Sequence, residues 1–218
     1  MSEATGPGYL DDLATQARLR AQARVAGLRA RYPKEPRRLL ADRLVAAFAR
    51  RAGLGGAATG VLSVFSLPVG LPAGIALTLA LEAELLLALM QLYDVETAGE
   101  VGRFKLYALW AGAGLADAAK SVGLKLGADA LTTALAGTLP ARLIAKLHPL
   151  LVRKVLQRLG LGWVPRLMKF WPVLGAPLGY VLDSSALRTL GDASIATLEA
   201  MPPRGTVPEG VVEVSDDS

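Results

Sequence analysis

The sequence predicts an all-α protein, a compact multi-helix bundle built around an apolar helical hairpin broken by glycine and proline. Three observations lead there. Leucine and alanine dominate while β-branched residues are few. Apolar residues recur at helical spacing along the chain, and residues 52–81 carry no charged side chain before Glu82 and Glu84 interrupt an apolar run that continues to Leu92. A length of 218 residues suits one domain with appendages. The mean hydropathy of +0.39 is high for a soluble protein.

A first helix is expected over 10–31, with Leu10, Leu13, Ala14, Ala17, Ala21, Val25 and Leu28 on one face. Arg18 and Arg29 border that face on one side, and Arg20, Arg24 and Arg31 on the other. Such flanks lay aliphatic stems along an apolar surface while the guanidinium groups reach water or phosphate. The competing reading is a solvated amphipathic helix packed on the domain. Pro33 and Pro36 end the helix and make a hinge of 32–36. A second helix, 37–51, turns Leu39, Leu40, Leu44, Val45 and Phe48 to one side.

Pro68 and Pro72 divide the uncharged run that follows. Its first arm, 56–67, would be roughly 18 Å long at about 1.5 Å per residue, short of a hydrocarbon core of about 30 Å. The second arm, 73–93, is long enough but holds Glu82 and Glu84, each costing about 2.5–3.5 kcal/mol near a bilayer centre. A hairpin over 53–93, buried in protein or dipping into one leaflet, is therefore expected in place of two independent spans. Positions two apart on a helix differ by about 200°, so the two carboxylates are not expected to face one protected interior. One is assigned a buried basic or polar partner, the other a helix end or water.

Beyond the hairpin, 93–102 is polar and turn-like, and a helix starting near Gly102 carries Phe104, Leu106, Leu109 and Trp110. Further helices are expected over 116–139, over 140–160 with a bend near Pro149, and over 173–201, the last preceded by a basic aromatic link at 162–172. The domain organisation follows: a basic amphipathic helix in 1–32, a helical domain over 37–201, and a disordered acidic tail over 202–218. Glycine pairs four residues apart (Gly56 and Gly60, Gly70 and Gly74, Gly123 and Gly127, Gly175 and Gly179) suggest tight helix packing, with homo-oligomerisation a weaker implication.

Charge is unevenly placed. Residues 18–51 hold ten Arg and one Lys against Glu35 and Asp42, a net charge of +9. Residues 130–182 hold seven basic residues and no acid, and the tail after Arg204 is acidic. Within the second basic stretch, Arg153, Lys154 and Arg158 precede a cluster of Trp163, Arg166, Lys169, Phe170 and Trp171. Amphipathic aromatics beside basic residues suit a membrane interface; core packing of the tryptophans is the competing reading. Nucleic acid is disfavoured, because asparagine is absent, glutamine occurs only four times and no recognition module is present.

Several chemistries are excluded. Without cysteine there is no disulfide, zinc thiolate or thiol nucleophile. The Gly53–Ala58 glycines would need a preceding strand to bind a dinucleotide, and Val61 stands where a phosphate loop requires lysine. His148 is the only histidine, and no Gly-x-Ser-x-Gly elbow accompanies it. No catalytic residue, metal ligand or cofactor is assigned. The start lacks a basic, then apolar, then small-residue signal, so the cytoplasmic side is expected.

Four stretches stand in order along the chain: 53–60; 67–74 with its spaced prolines; Leu92-Tyr93-Asp94 closing a long apolar helix, followed by Phe104-Lys105-Leu106; and the segment 171–179 leading to Leu190-Gly191-Asp192-Ala193. Together they resemble the EcsC family. The likeness covers about residues 40–200. It departs at Val69 and Gly70, where relatives often have a polar pair, at Asp94, which replaces the usual glycine after tyrosine, and at Leu182-Asp183, where asparagine is expected. The resemblance implies an all-helical, membrane-associated bacterial protein, and supplies no reaction.

The functional expectation is a non-enzymatic protein at the cytoplasmic membrane face, in contact with anionic lipid or a membrane-protein partner. The residues expected to make that contact are Arg18, Arg20, Arg24, Arg29, Arg31, Arg153, Lys154, Arg158, Trp163, Arg166, Lys169 and Trp171. The alternatives are a soluble oligomeric scaffold that buries the hairpin, and a hydrolase using Ser184, Asp183 or His148.

Overall fold

The computed structural model describes residues 7–65, 67–111 and 175–201, with side chains for 14–55, 77–111, 181 and 183–201. The described residues are all-α, as the sequence predicts: α1 (Pro7–Arg31), α2 (Arg37–Phe65), α3 (Leu67–Leu92), α4 (Gly99–Ala111) and α5 (Gly175–Glu199), with no strand.

Helix α1 starts on a proline, which is tolerated where the first N–H has no intrahelical acceptor, and stops before Pro33. The Pro36 carbonyl accepts from Leu40 N at 3.2 Å and so opens α2. That helix does not end at Arg51 as expected but runs on to Phe65. Gly55 lies against Leu77 of α3, where an added Cβ would sit 2.7 Å from Leu77 Cδ2. Helix α3 starts at Leu67, well before the expected 73, so that Pro68 falls in its first turn. The side chains of 56–76, on which the glycine- and proline-broken hairpin rests, lie outside the described residues. So do the helices expected over 116–139 and 140–160, the link at 162–172 and the acidic tail.

Helix α2 packs most extensively on α5, then on α3, while α1 packs on α3. Arg37 meets Asp94 and Gly55 meets Leu77, so α2 and α3 are antiparallel; Arg38 meets Glu199 and Val45 meets Gly191, so α2 and α5 are too. Helix α3 is touched by α1, α2, α4 and α5. Every side chain from Glu82 to Met90 is buried. A stretch enclosed on all sides needs no polar face, which is why 82–90 is apolar round the helix apart from its two glutamates. Among the described residues no helix is long and apolar enough to cross a membrane.

This enclosure corrects the expectation for the two carboxylates. Glu82 and Glu84 do point to different sides of α3, yet both are buried. Glu84 faces α1 and meets Arg24; Glu82 Oε2 accepts from Trp110 Nε1 of α4 at 2.6 Å. Neither is left to a helix end or to bulk water.

The C-terminus of α3 is closed by a left-handed residue. Asp94 has φ 59°, Val95 N donates to Met90 O at 2.7 Å, and Asp94 N donates to Gln91 O at 3.2 Å. This pair of bonds is the Schellman arrangement, whose left-handed position is usually glycine. The glycine that the family resemblance leads one to expect after Tyr93 is thus an aspartate in a glycine-like conformation.

Candidate functional site

The alanine-rich face of α1 is buried: Ala14, Ala17, Ala21 and Val25 all belong to the core. Small side chains bring α1 close to α3, and the arginines beside that face reach protein partners. Arg24 Nη2 lies 2.7 Å from Glu84 Oε1, and its guanidinium sits 4.8 Å from the Phe48 ring centroid. Arg29 Nη2 donates to Leu92 O at 3.1 Å, satisfying a carbonyl in the last turn of α3, and lies 3.5 Å from Asp94 Oδ1. Arg24 and Arg29, both expected at headgroups, each donate to protein acceptors, and the Arg29 side chain remains 47% exposed.

A second group of ion pairs forms where α1 passes into α2. Arg37 Nη2 is 2.8 Å from Asp94 Oδ2. Arg38 pairs with Glu199 at 2.9 Å and with Asp42 at 3.2 Å. Arg43 donates twice to Glu35, each bond 2.7 Å, and stacks 4.3 Å over Tyr32. The Glu199 carboxylate raises the Arg38 guanidinium above its ordinary value, and Glu35 does the same for Arg43. Tyr93 donates to Glu199 Oε1 at 3.0 Å, and burial followed by that bond pushes its phenol up to about 12. Five of the eleven basic residues of 18–51, Arg24, Arg29, Arg37, Arg38 and Arg43, are thus turned to acceptors within the protein.

The outer face of α1 is different. Leu19, Ala23, Ala26, Gly27 and Ala30 are all exposed, Leu19 to 62%, and at 3.6 residues per turn they share an arc of about 100°, which is apolar from Leu19 on; the exposed Gln16 occupies it one turn earlier. Arg20 and Arg31 run along one edge of that arc, both exposed; Gln22, Arg29 and the half-buried Arg18 run along the other. Helix α1 thus has two apolar stripes, one in the core and one facing out between basic rows. Sequence reading found only the first, although the spacing 19, 23, 26 and 30 was there to be seen.

The remaining predicted contacts (Arg153, Lys154, Arg158, Trp163, Arg166, Lys169 and Trp171) lie outside the described residues, as does His148. Ser184 Oγ donates to Val181 O at 3.2 Å, and burial raises the Asp183 carboxyl above its ordinary range. Among the described residues no group of three or more His, Asp or Glu side chains could hold a metal ion.

No family model, curated protein or solved structure matches the chain. The EcsC resemblance rests on the quoted residues alone.

Proposed function

We propose that the protein is a non-enzymatic helical module that associates with an anionic membrane surface on the cytoplasmic side of a bacterial cell, through the outer face of α1. The observation that carries this reading is the exposed apolar arc of Leu19, Ala23, Ala26 and Ala30 between rows containing Arg18, Arg20 and Arg31. An apolar strip rimmed by arginines suits the headgroup boundary, where stems lie on acyl chains and guanidinium groups reach phosphate. Each arginine near such a surface contributes about 1 kcal/mol, and the alanine strip adds little, so binding is weak and salt-sensitive. The EcsC resemblance points the same way. Arg153, Lys154, Arg158, Trp163, Arg166, Lys169 and Trp171 belong to the same proposal as a second basic surface.

Co-sedimentation with phosphatidylglycerol vesicles at low and high salt tests this. Binding at low salt, loss at high salt, and loss in Leu19→Asp or in the double variant Arg20→Glu/Arg31→Glu are expected. Equal binding to neutral vesicles, or none to anionic ones, refutes it.

A second reading, an oligomeric scaffold, is favoured by Leu54 and Leu77, which are 66% and 41% exposed where α2 meets α3. Light scattering on the purified chain distinguishes it: a defined oligomer disrupted by Leu54→Asp would favour the scaffold.

A further inference from the structure

A cleft of about 190 Å³ lies between α1, α3 and the start of α4. Thr15 and Arg18 line it from α1, and Thr97 and Arg103 from α4 and the turn before it. Leu87 and Leu106 complete the wall with apolar surface. With about 30 Å³ per liquid water, the space admits a group the size of several waters.

We propose that this cleft binds a phosphate group, with Arg18 and Arg103 as the charged clamp and Thr97 as hydroxyl donor. Both arginines are half-buried, which strengthens their field over that of fully exposed ones. Guanidinium forks hold pairs of phosphate oxygens, and a phosphate offers more acceptor oxygens than a single carboxylate. Thr15 and Arg103 each make a further interaction within the chain. The five N–H donors of a guanidinium allow it to hold a phosphate oxygen beside a partner it already has.

The turn that leads into α4 is packed tightly on that helix. Gly99 has φ +65°, and a Cβ on Gly102 would lie 2.7 Å from Thr97 O. Both glycines line the cleft, which brings the first turn of α4, the positive end of that helix, to its edge. Glu100 stands in the same turn but does not line the cleft.

The phosphate could belong to a lipid headgroup or to a free phosphate; in the lipid case the inference rests on the membrane reading above. The full chain is titrated calorimetrically with inorganic phosphate, with acetate as control, and co-sedimented with vesicles containing phosphatidic acid or phosphatidylglycerol at equal surface charge. Arg18→Gln, Arg103→Gln and the isosteric Thr97→Val are compared after circular dichroism confirms their folding. For a free phosphate, saturable heat absent with acetate is expected, weakened about tenfold or more in either arginine variant. For a lipid, a preference for phosphatidic acid is expected, lost in the same variants while residual binding to phosphatidylglycerol remains. Absence of both signals in the unsubstituted chain, or signals unchanged in the folded variants, overturns the proposal. Failure to bind any anionic vesicle while phosphate heat persists sinks the membrane reading and leaves the phosphate site standing.

Discussion

Arg24 and Glu84, sixty residues apart, form the ion pair that ties α1 to α3, with Nη2 2.7 Å and Nε 2.9 Å from the same carboxylate oxygen. The two partners are not equally buried: the Arg24 side chain is 27% exposed and that of Glu84 is 7%. Removing the arginine strands a buried carboxylate, whereas removing the carboxylate leaves an arginine that can turn towards water. Arg24→Ala should therefore cost about 2–4 kcal/mol and Glu84→Gln only about 1–2 kcal/mol. Urea unfolding of both single variants and the double variant measures the asymmetry, and equal costs would contradict it.

Asp94 is strained and useful together. A non-glycine residue in the left-handed region costs roughly 1 kcal/mol, while its exposed pairs with Arg29 and Arg37 return less than about 1 kcal/mol each. Asp94→Gly should leave stability within about 1 kcal/mol of the parent, because relief of strain offsets the lost pairs. Asp94→Ala keeps the strain, loses the pairs, and should cost about 1–2 kcal/mol. Thermal melts of the two variants separate them, and Asp94→Gly below Asp94→Ala is the contrary result.

Tyr93 gives the bundle end an alkaline dependence. Its phenol is pushed from 10.0 up to about 12, first by burial and then by donation to Glu199. The neutral form is the one favoured by the fold. The contribution is therefore complete below pH 10 and is lost as pH rises through about 12. The side chain is partly exposed, so screening limits the effect to about 1 kcal/mol. The stability difference between the parent and Tyr93→Phe should shrink between pH 9 and pH 12, while absorbance at 295 nm reports the titration. A difference independent of pH would show that the fold does not favour the neutral phenol.

What was legible in the sequence depended on whether a pattern has a direction. The inner face of α1 could be read because Ala14, Ala17, Ala21 and Val25 alternate with polar residues at helical spacing. In α3 no such contrast exists, so its enclosure by four helices, and the burial of both Glu82 and Glu84, could not be read from periodicity. Partners were hidden for a different reason. Arg24 finds Glu84 and Arg38 finds Glu199 only after the helices are placed, and local spacing cannot distinguish an arginine committed to a carboxylate from one offered to a phosphate. Asp94 was legible as a departure from an expected glycine, but the meaning of that departure came from its φ. The phosphate cleft joins residues near 15, 87 and 103, three separate elements that share no motif.

The contact of Gly191 with Val45 sets how closely α5 can approach α2. A Cβ on Gly191 would meet Val45 Cγ2 at 2.5 Å and Cγ1 at 2.9 Å, and a β-branched valine in a helix has little rotamer freedom with which to yield. Gly191→Ala gains up to about 1 kcal/mol of helix propensity and pays roughly 1–3 kcal/mol for overpacking, so a net loss is expected. Val45→Ala alone should cost about 1–3 kcal/mol, since Val45 is buried. In the double variant the alanine methyl partly fills the space the valine vacates, so its cost should be smaller than the sum of the two single costs by at least about 0.5 kcal/mol. Additive costs would mean that α5 moves away from α2 as a rigid body instead of being held by this contact.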